Sequence, residues 1–148
     1  MLNSTTFARG PAGARLRAAR VVEDLFVSAP LQQAALDLVS SPGWCRHLKA
    51  LRAGLRERRS ALIKAVERDL GRHSIERVPT GGLHLWVRLP DGTDEGSLIA
   101  AAARAGVVVS GGGPSFAAEP TGPHLRLTFG AAPPDVLVEG VSRLAALL

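Results

Sequence analysis

The segment His124–Leu125–Arg126–Leu127–Thr128–Phe129–Gly130 alternates apolar and polar side chains at strand spacing. Leu125, Leu127 and Phe129 share one face, which leaves Arg126 on the other with His124 and Thr128. A planar guanidinium fixed on a strand suits two-pronged capture of a carboxylate. The same residue on a half-exposed strand also reads as an ordinary surface arginine. His84, Trp86 and Arg88 form a second polar stripe, alternating with Leu83, Leu85, Val87 and Leu89. They either line a cleft with Arg126 or face solvent or a partner. The loop Gly111–Gly112–Gly113–Pro114–Ser115–Phe116 has the outline of a phosphate cradle. No helix start follows it and the lysine of a P-loop is missing, so it reads as a connector. Its length still allows a functional role.

Other reactive side chains lack the company their chemistry needs. Cys45 and His47 stand two apart on a helix and point apart. His73 and His124 complete no ligand spacing, so no metal site is expected. Ser115 has no histidine or acid nearby in sequence and no elbow motif around it. The two lysines, Lys49 and Lys64, sit inside an arginine-rich helix. A Schiff-base lysine needs desolvation or a cationic neighbour within a pocket. Both therefore read as solvated, and no catalytic residue is assigned. Arg56, Arg58 and Arg59 would suit phosphate backbones, but no stacking aromatics or recognition helix accompany them. They read as a solvated helix face, and a nucleic-acid partner is not expected.

Composition sets the frame for these residues. The 148 residues suffice for one domain with a modest core. Aromatics are only 4%, so that core must be built from Leu, Val and Ala. The net charge of +5 arises from 18 Lys+Arg against 13 Asp+Glu, a basic surface without a long charge run. A single cysteine, Cys45, allows no internal disulfide and fits a reducing cytoplasm. The longest apolar stretch, Leu98 to Val109, is broken by Arg104, so no membrane partner is expected. Residues 1–13 are aperiodic and contain Gly and Pro; they read as a loose tail before a domain over 14–148.

The elements that must position Arg126 follow from period and punctuation. Ala14–Phe26 and Pro30–Val39 read as helices, the second opened by Ser28 and Pro30. Ser41–Pro42–Gly43 opens a long helix with Leu48, Leu51, Leu55, Leu62, Val66 and Leu70 at helical spacing, closed by Gly71. A strand spans Leu83–Leu89, and a helix capped by Thr93 or Asp94 runs to Ala105. Gly106 stops that helix, and Val107–Val109 reads as a short buried strand. Pro133–Pro134–Asp135 opens the last helix. The expected class is α/β of the α+β kind: a small mixed sheet covered by helices and preceded by a long helix. The first two helices need a neighbour to bury their apolar sides.

Five segments in order carry a resemblance: RLRAARVVEDLFVSAPLQQAALDLV (Arg15–Val39), RHLKALRAGLRERRSALIKAVERDL (Arg46–Leu70), PTGGLHLWVRLPDG (Pro79–Gly92), AGVVVSGGGPSF (Ala105–Phe116) and HLRLTFGAAPPDVLVEGVSRL (His124–Leu144). Together the chain resembles the C-terminal small domain of fold-type-I pyridoxal-phosphate-dependent aminotransferases of class I/II. Within these it is similar to the aminotransferase-like domain of MocR-type regulators of the GntR superfamily. The resemblance implies that Arg126 matches the arginine gripping the substrate α-carboxylate. It also implies that His84, Trp86 and Phe116 lie in segments near the active-site entrance and are candidates for lining the cleft. The family keeps its cofactor lysine, ring-pairing aspartate and phosphate-binding residues in a large upstream domain. The expectation is a truncated aminotransferase-like chain that begins after the lysine-bearing segment and binds no pyridoxal phosphate alone. Intact relatives would exchange amino groups between an amino acid and a 2-oxo acid, as homodimers. The alternatives are the effector-sensing half of a transcription regulator, or an interaction module without chemistry.

Overall fold

A computed structural model of the chain describes residues 10–23, 28–116, 119 and 121–148, without the side chains of 20–23. The chain divides into two compact units, Met1–His47 and Leu48–Leu148. The first contains α1 (Gly10–Glu23) and α2 (Ala29–Val39). Helix α1 starts four residues before the expected Ala14, and the expected end at Phe26 lies outside the described residues. Helix α2 begins after Ser28 with Pro30 in its first turn, as its punctuation predicts. It buries no residue, and Leu31, Leu36 and Leu38 are all exposed.

Helix α3 (Trp44–Asp69) opens after Ser41–Pro42–Gly43, where the Trp44 N–H donates to the Ser41 carbonyl. Its second half supplies Leu62, Ala65 and Val66 to the core, while Leu51 stays exposed. The helix ends before Gly71, whose positive φ of 90° a residue with a side chain rarely adopts.

Three strands follow: β1 (His84–Arg88), β2 (Ser110–Gly111) and β3 (His124–Thr128), in the order β1-β3-β2. Both pairings are antiparallel, with Leu85 opposite Leu127 and Val87 opposite Leu125. The α+β class stands, but the described sheet is not mixed. A strand–helix–strand run predicts a parallel pair, and β1 and β2 do share a direction across α4 (Glu95–Arg104). The later strand β3 inserts between them, so every ladder bond is antiparallel.

Val107–Val109 is not a strand. The Gly106 N–H donates to the Ala103 carbonyl and the Val107 N–H to the Ala102 carbonyl at 2.8 Å, wrapping the end of α4 around Gly106 at φ 78°. The Val107 donor is thereby used by the helix, and pairing starts only at Ser110. Val107 and Val109 still pack on the core, whereas Val108 is 93% exposed. Leu83 also departs from the expected pattern: it lies exposed just ahead of β1, though its carbonyl accepts the Phe129 N–H at 2.9 Å.

One sheet face carries the core. Leu85, Val87, Leu125 and Leu127 meet Leu62 and Val66 of α3, Leu98 and Ala102 of α4, and Val141 and Leu144 of α5 (Pro134–Ala145). The opposite face of the three strands bears the polar stripe. Helix α4 is fixed at its start by Asp94, whose carboxylate accepts the Gly96 N–H at 2.9 Å, the Ser97 N–H at 3.4 Å and the Ser97 hydroxyl at 2.9 Å. The Ser97 hydroxyl, then the two backbone donors, hold the Asp94 carboxyl below the usual aspartate range.

A depressed folded pKa contributes stability that is complete above the unfolded value and is lost as pH falls through the folded one. Asp94→Asn keeps an acceptor but does not titrate. The urea midpoint of the wild type should therefore fall more steeply than that of the variant below about pH 4. Parallel acid limbs in denaturation curves would exclude this role.

Candidate functional site

The open sheet face is organised by strand register. Arg126 stands mid-strand on β3, the central strand, with Trp86 of β1 on one side and Ser110 of β2 on the other. His84 lies opposite Thr128 in the next row of the same face. Arg126 is exposed and, among the described residues, makes no hydrogen bond or ion pair. Both its cross-strand neighbours are uncharged, so its five donors are available to an anion. Arg88 is engaged instead. It donates to Asp91 at 3.0 Å and Glu76 at 3.4 Å, and these bonds, Asp91 first, raise its pKa.

An aromatic corner closes one end of the face. Trp86 meets Phe116 edge-on with ring centroids 5.6 Å apart, and both rings meet His124, at 6.1 Å and 5.3 Å. The strand pattern places His124 on the solvent side, and it does lie on that side of β3. The two aromatic rings roof it, leaving it 3% exposed. Its Nδ1 lies 2.8 Å from the Gly122 carbonyl, which can only accept, so Nδ1 carries a proton. Its Nε2 then faces Glu76, 3.8 Å away.

The glycine loop is held in place by Glu95, the first residue of α4. One carboxylate oxygen accepts the Gly112 N–H at 3.1 Å and the Gly113 N–H at 3.4 Å, and the other accepts the His124 N–H at 2.8 Å. Gly112 is required by contact, and Gly111 is closely approached by side-chain ends. A Cβ at Gly111 would lie 2.7 Å from the Glu95 carboxylate. One at Gly112 would lie 2.6 Å from His124 Cβ and 2.8 Å from the Trp86 ring. The loop backbone thus presses directly on the aromatic corner.

Sequence spacing placed Arg126, Trp86 and His84 on one face, and the structure brings them together there with Phe116 against Trp86. Glu95 and Glu76 carried no site signal in the sequence. Glu95 reads as a first-turn acid, and its clamp exists only once the loop and β3 are adjacent. A hollow of 720 Å³ lies elsewhere, between Val107–Val109 and α5. Arg126, Trp86, His84 and Phe116 do not line it. Residues able to receive pyridoxal phosphate covalently do not fit on this face. Lys49 and Lys64 are exposed on α3, whose core side packs on the opposite sheet face.

The fold has known counterparts. No family profile matches the chain. The 2-aminoadipate transaminase of Thermus thermophilus is 29% identical over 118 residues, 80% of this chain and 30% of the transaminase. The HTH-type transcriptional regulator YdfD of Bacillus subtilis is 24% identical over 90% of this chain and 27% of the regulator. Among solved structures, LysN, the α-aminoadipate aminotransferase of Thermus thermophilus complexed with N-(5'-phosphopyridoxyl)-L-leucine, superposes with a TM-score of 0.75. It is 28% identical, over 95% of this chain and 36% of LysN. The relatives and structural neighbours are pyridoxal-phosphate-dependent aminotransferases and HTH-type regulators, and this chain corresponds to a C-terminal part of them. It spans about a third of the length of the relatives it matches.

Gly112→Ala should lower stability by about 1–3 kcal/mol, the range for forcing atoms into a packed site. In a Trp44→Phe background it should also shift Trp86 emission. Urea melts and fluorescence unchanged from the parent would show that the loop does not press on this corner.

Proposed function

We propose that this chain is the substrate-gripping part of an aminotransferase-like protein, in which Arg126 holds the α-carboxylate of an amino acid or 2-oxo acid. The carrying observation is the unpaired guanidinium in the centre of the sheet's open face. A central strand fixes the backbone beneath it, so less freedom is lost when a carboxylate docks. Trp86 stands beside it and shields one side of the resulting pair from water. His84 and Phe116 extend the wall around the ligand.

The relatives' names support an amino-acid-sized ligand, and LysN is complexed with a phosphopyridoxyl derivative of leucine. Pyridoxal phosphate, when bound, supplies the electron sink for amino-group transfer. This chain's residues contribute the carboxylate grip and the aromatic wall, without an attachment amine on that face. The chain alone is accordingly a binder, with transamination belonging to a longer assembly. The exposed apolar side chains of α2, Leu31, Leu36 and Leu38, support packing against a large domain or a second subunit. We place residues 14–148 in one aminotransferase-like C-terminal domain behind a short tail. A cytoplasmic setting accords with the lone exposed Cys45; no described helix is long and apolar enough to cross a membrane.

A second reading rests on the regulators among the relatives. There the same arginine would sense an effector carboxylate and pass the signal to a DNA-binding part. Both readings need Arg126.

Titrating the chain with amino acids and 2-oxo acids, followed by NMR shifts of the Trp86 indole, tests the grip. Arg126→Ala should weaken binding by about 10- to 100-fold, the cost of losing charge-assisted hydrogen bonds. Arg126→Lys should recover only part, because an ammonium lacks the fork. Equal affinity in Arg126→Ala would refute the assignment.

A further inference from the structure

A second cationic feature lies away from the open face. Arg52, Arg56 and Arg59 follow one another at i, i+4 and i+7 along α3 and so share a helix face. With Leu55, Phe129 and the segment Thr80–Gly82 they line a hollow of 410 Å³ that contains no acidic residue. Arg59 is fixed by donating to the Pro79 carbonyl at 2.7 Å, and its buried Nε has no partner. Arg52 and Arg56 have neither hydrogen bond nor counter-ion among the described residues. Three arginines thus line one hollow without an acidic partner among its lining residues.

The glycine segment of the lining is equally suggestive. Gly82 has φ 82°, which explains its glycine. Gly81 has no such backbone, and a Cβ there would meet nothing within 4 Å. Nothing within the fold requires glycine at 81, although the residue lines the same hollow as the arginines. Its N–H finds no acceptor among the described residues. Bare backbone in a hollow lined by arginines is what close approach of an anion requires.

We propose that this hollow is a binding site for a small phosphate-bearing molecule, held by Arg52, Arg56 and Arg59 on one side and the Gly81 backbone on the other. A tetrahedral phosphate offers acceptors in several directions and can meet both walls at once. A planar carboxylate is satisfied by one guanidinium fork. The three arginines line one small hollow of 410 Å³, which selects a small ligand over a nucleic-acid backbone. The site is independent of the carboxylate grip at Arg126.

The test follows the ³¹P line width of inorganic phosphate, and of a simple phosphomonoester, against the 148-residue chain. Saturable broadening is expected for both. Arg56→Gln and Gly81→Ala should each weaken it about tenfold, with Arg126→Ala as wild type and succinate failing to compete at equal concentration. Gly81→Ala adds a methyl in open space without a positive φ, so it should melt like the wild type. It decides the question if Arg56→Gln proves unfolded. No saturable binding, unchanged affinity in Gly81→Ala, loss in Arg126→Ala or equal competition by succinate would each overturn the site. Tighter, Arg56-dependent binding of a short DNA duplex would overturn the class of ligand.

Discussion

A single carboxylate ties together the parts that form the open face. Glu95 begins α4, and its two oxygens gather backbone donors from the glycine loop and from the first residue of β3. The Gly112 N–H also donates to the His124 carbonyl at 2.8 Å, but the Gly113 and His124 N–H groups would otherwise lie part-buried without an acceptor, at a cost of roughly 1–3 kcal/mol apiece. Asp94 holds the helix start from the other side, so the Glu95 backbone cannot drift from its own helix. Through this clamp the loop is pulled down until Gly112 touches Trp86 and His124, and the corner beside Arg126 takes its shape.

The same arrangement explains why glycines cluster there. At Gly111 and Gly112 the demand is proximity: side-chain atoms of Glu95, Trp86 and His124 occupy the space a Cβ would need. Elsewhere, as at Gly71 and Gly106, the demand is backbone conformation at helix ends. The two causes look alike in sequence. That likeness is why the triple glycine suggested a phosphate cradle in outline, whereas its donors in fact serve an internal carboxylate.

Much of the frame was legible from period alone. The long helix, the two five-residue strands, the last helix and the Asp94 cap fall where spacing and punctuation put them, because each is a local pattern. Failures came where distant pieces compete. Val107–Val109 has β-branched residues in a row, yet a helix cap takes the first donor. The mixed sheet failed because nothing local tells β3 to slip between β1 and β2. Arg126 and Trp86 could be placed on one face from alternation, since register keeps parity across a ladder. The burial of His124 could not be foreseen, because its cover comes from other segments.

The insertion of β3 has a kinetic meaning. The β1–β3 ladder joins strands that are not neighbours in sequence; β1 must wait for α4, the glycine loop and the whole run to β3 before one rung can close. Closing so long a stretch loses chain entropy before any contact repays it. The nascent polypeptide is therefore left with an unzipped hydrophobic ribbon, Leu85 and Val87, until β3 has emerged. Haste in synthesis cannot help it: β3 must arrive before β1 can pair.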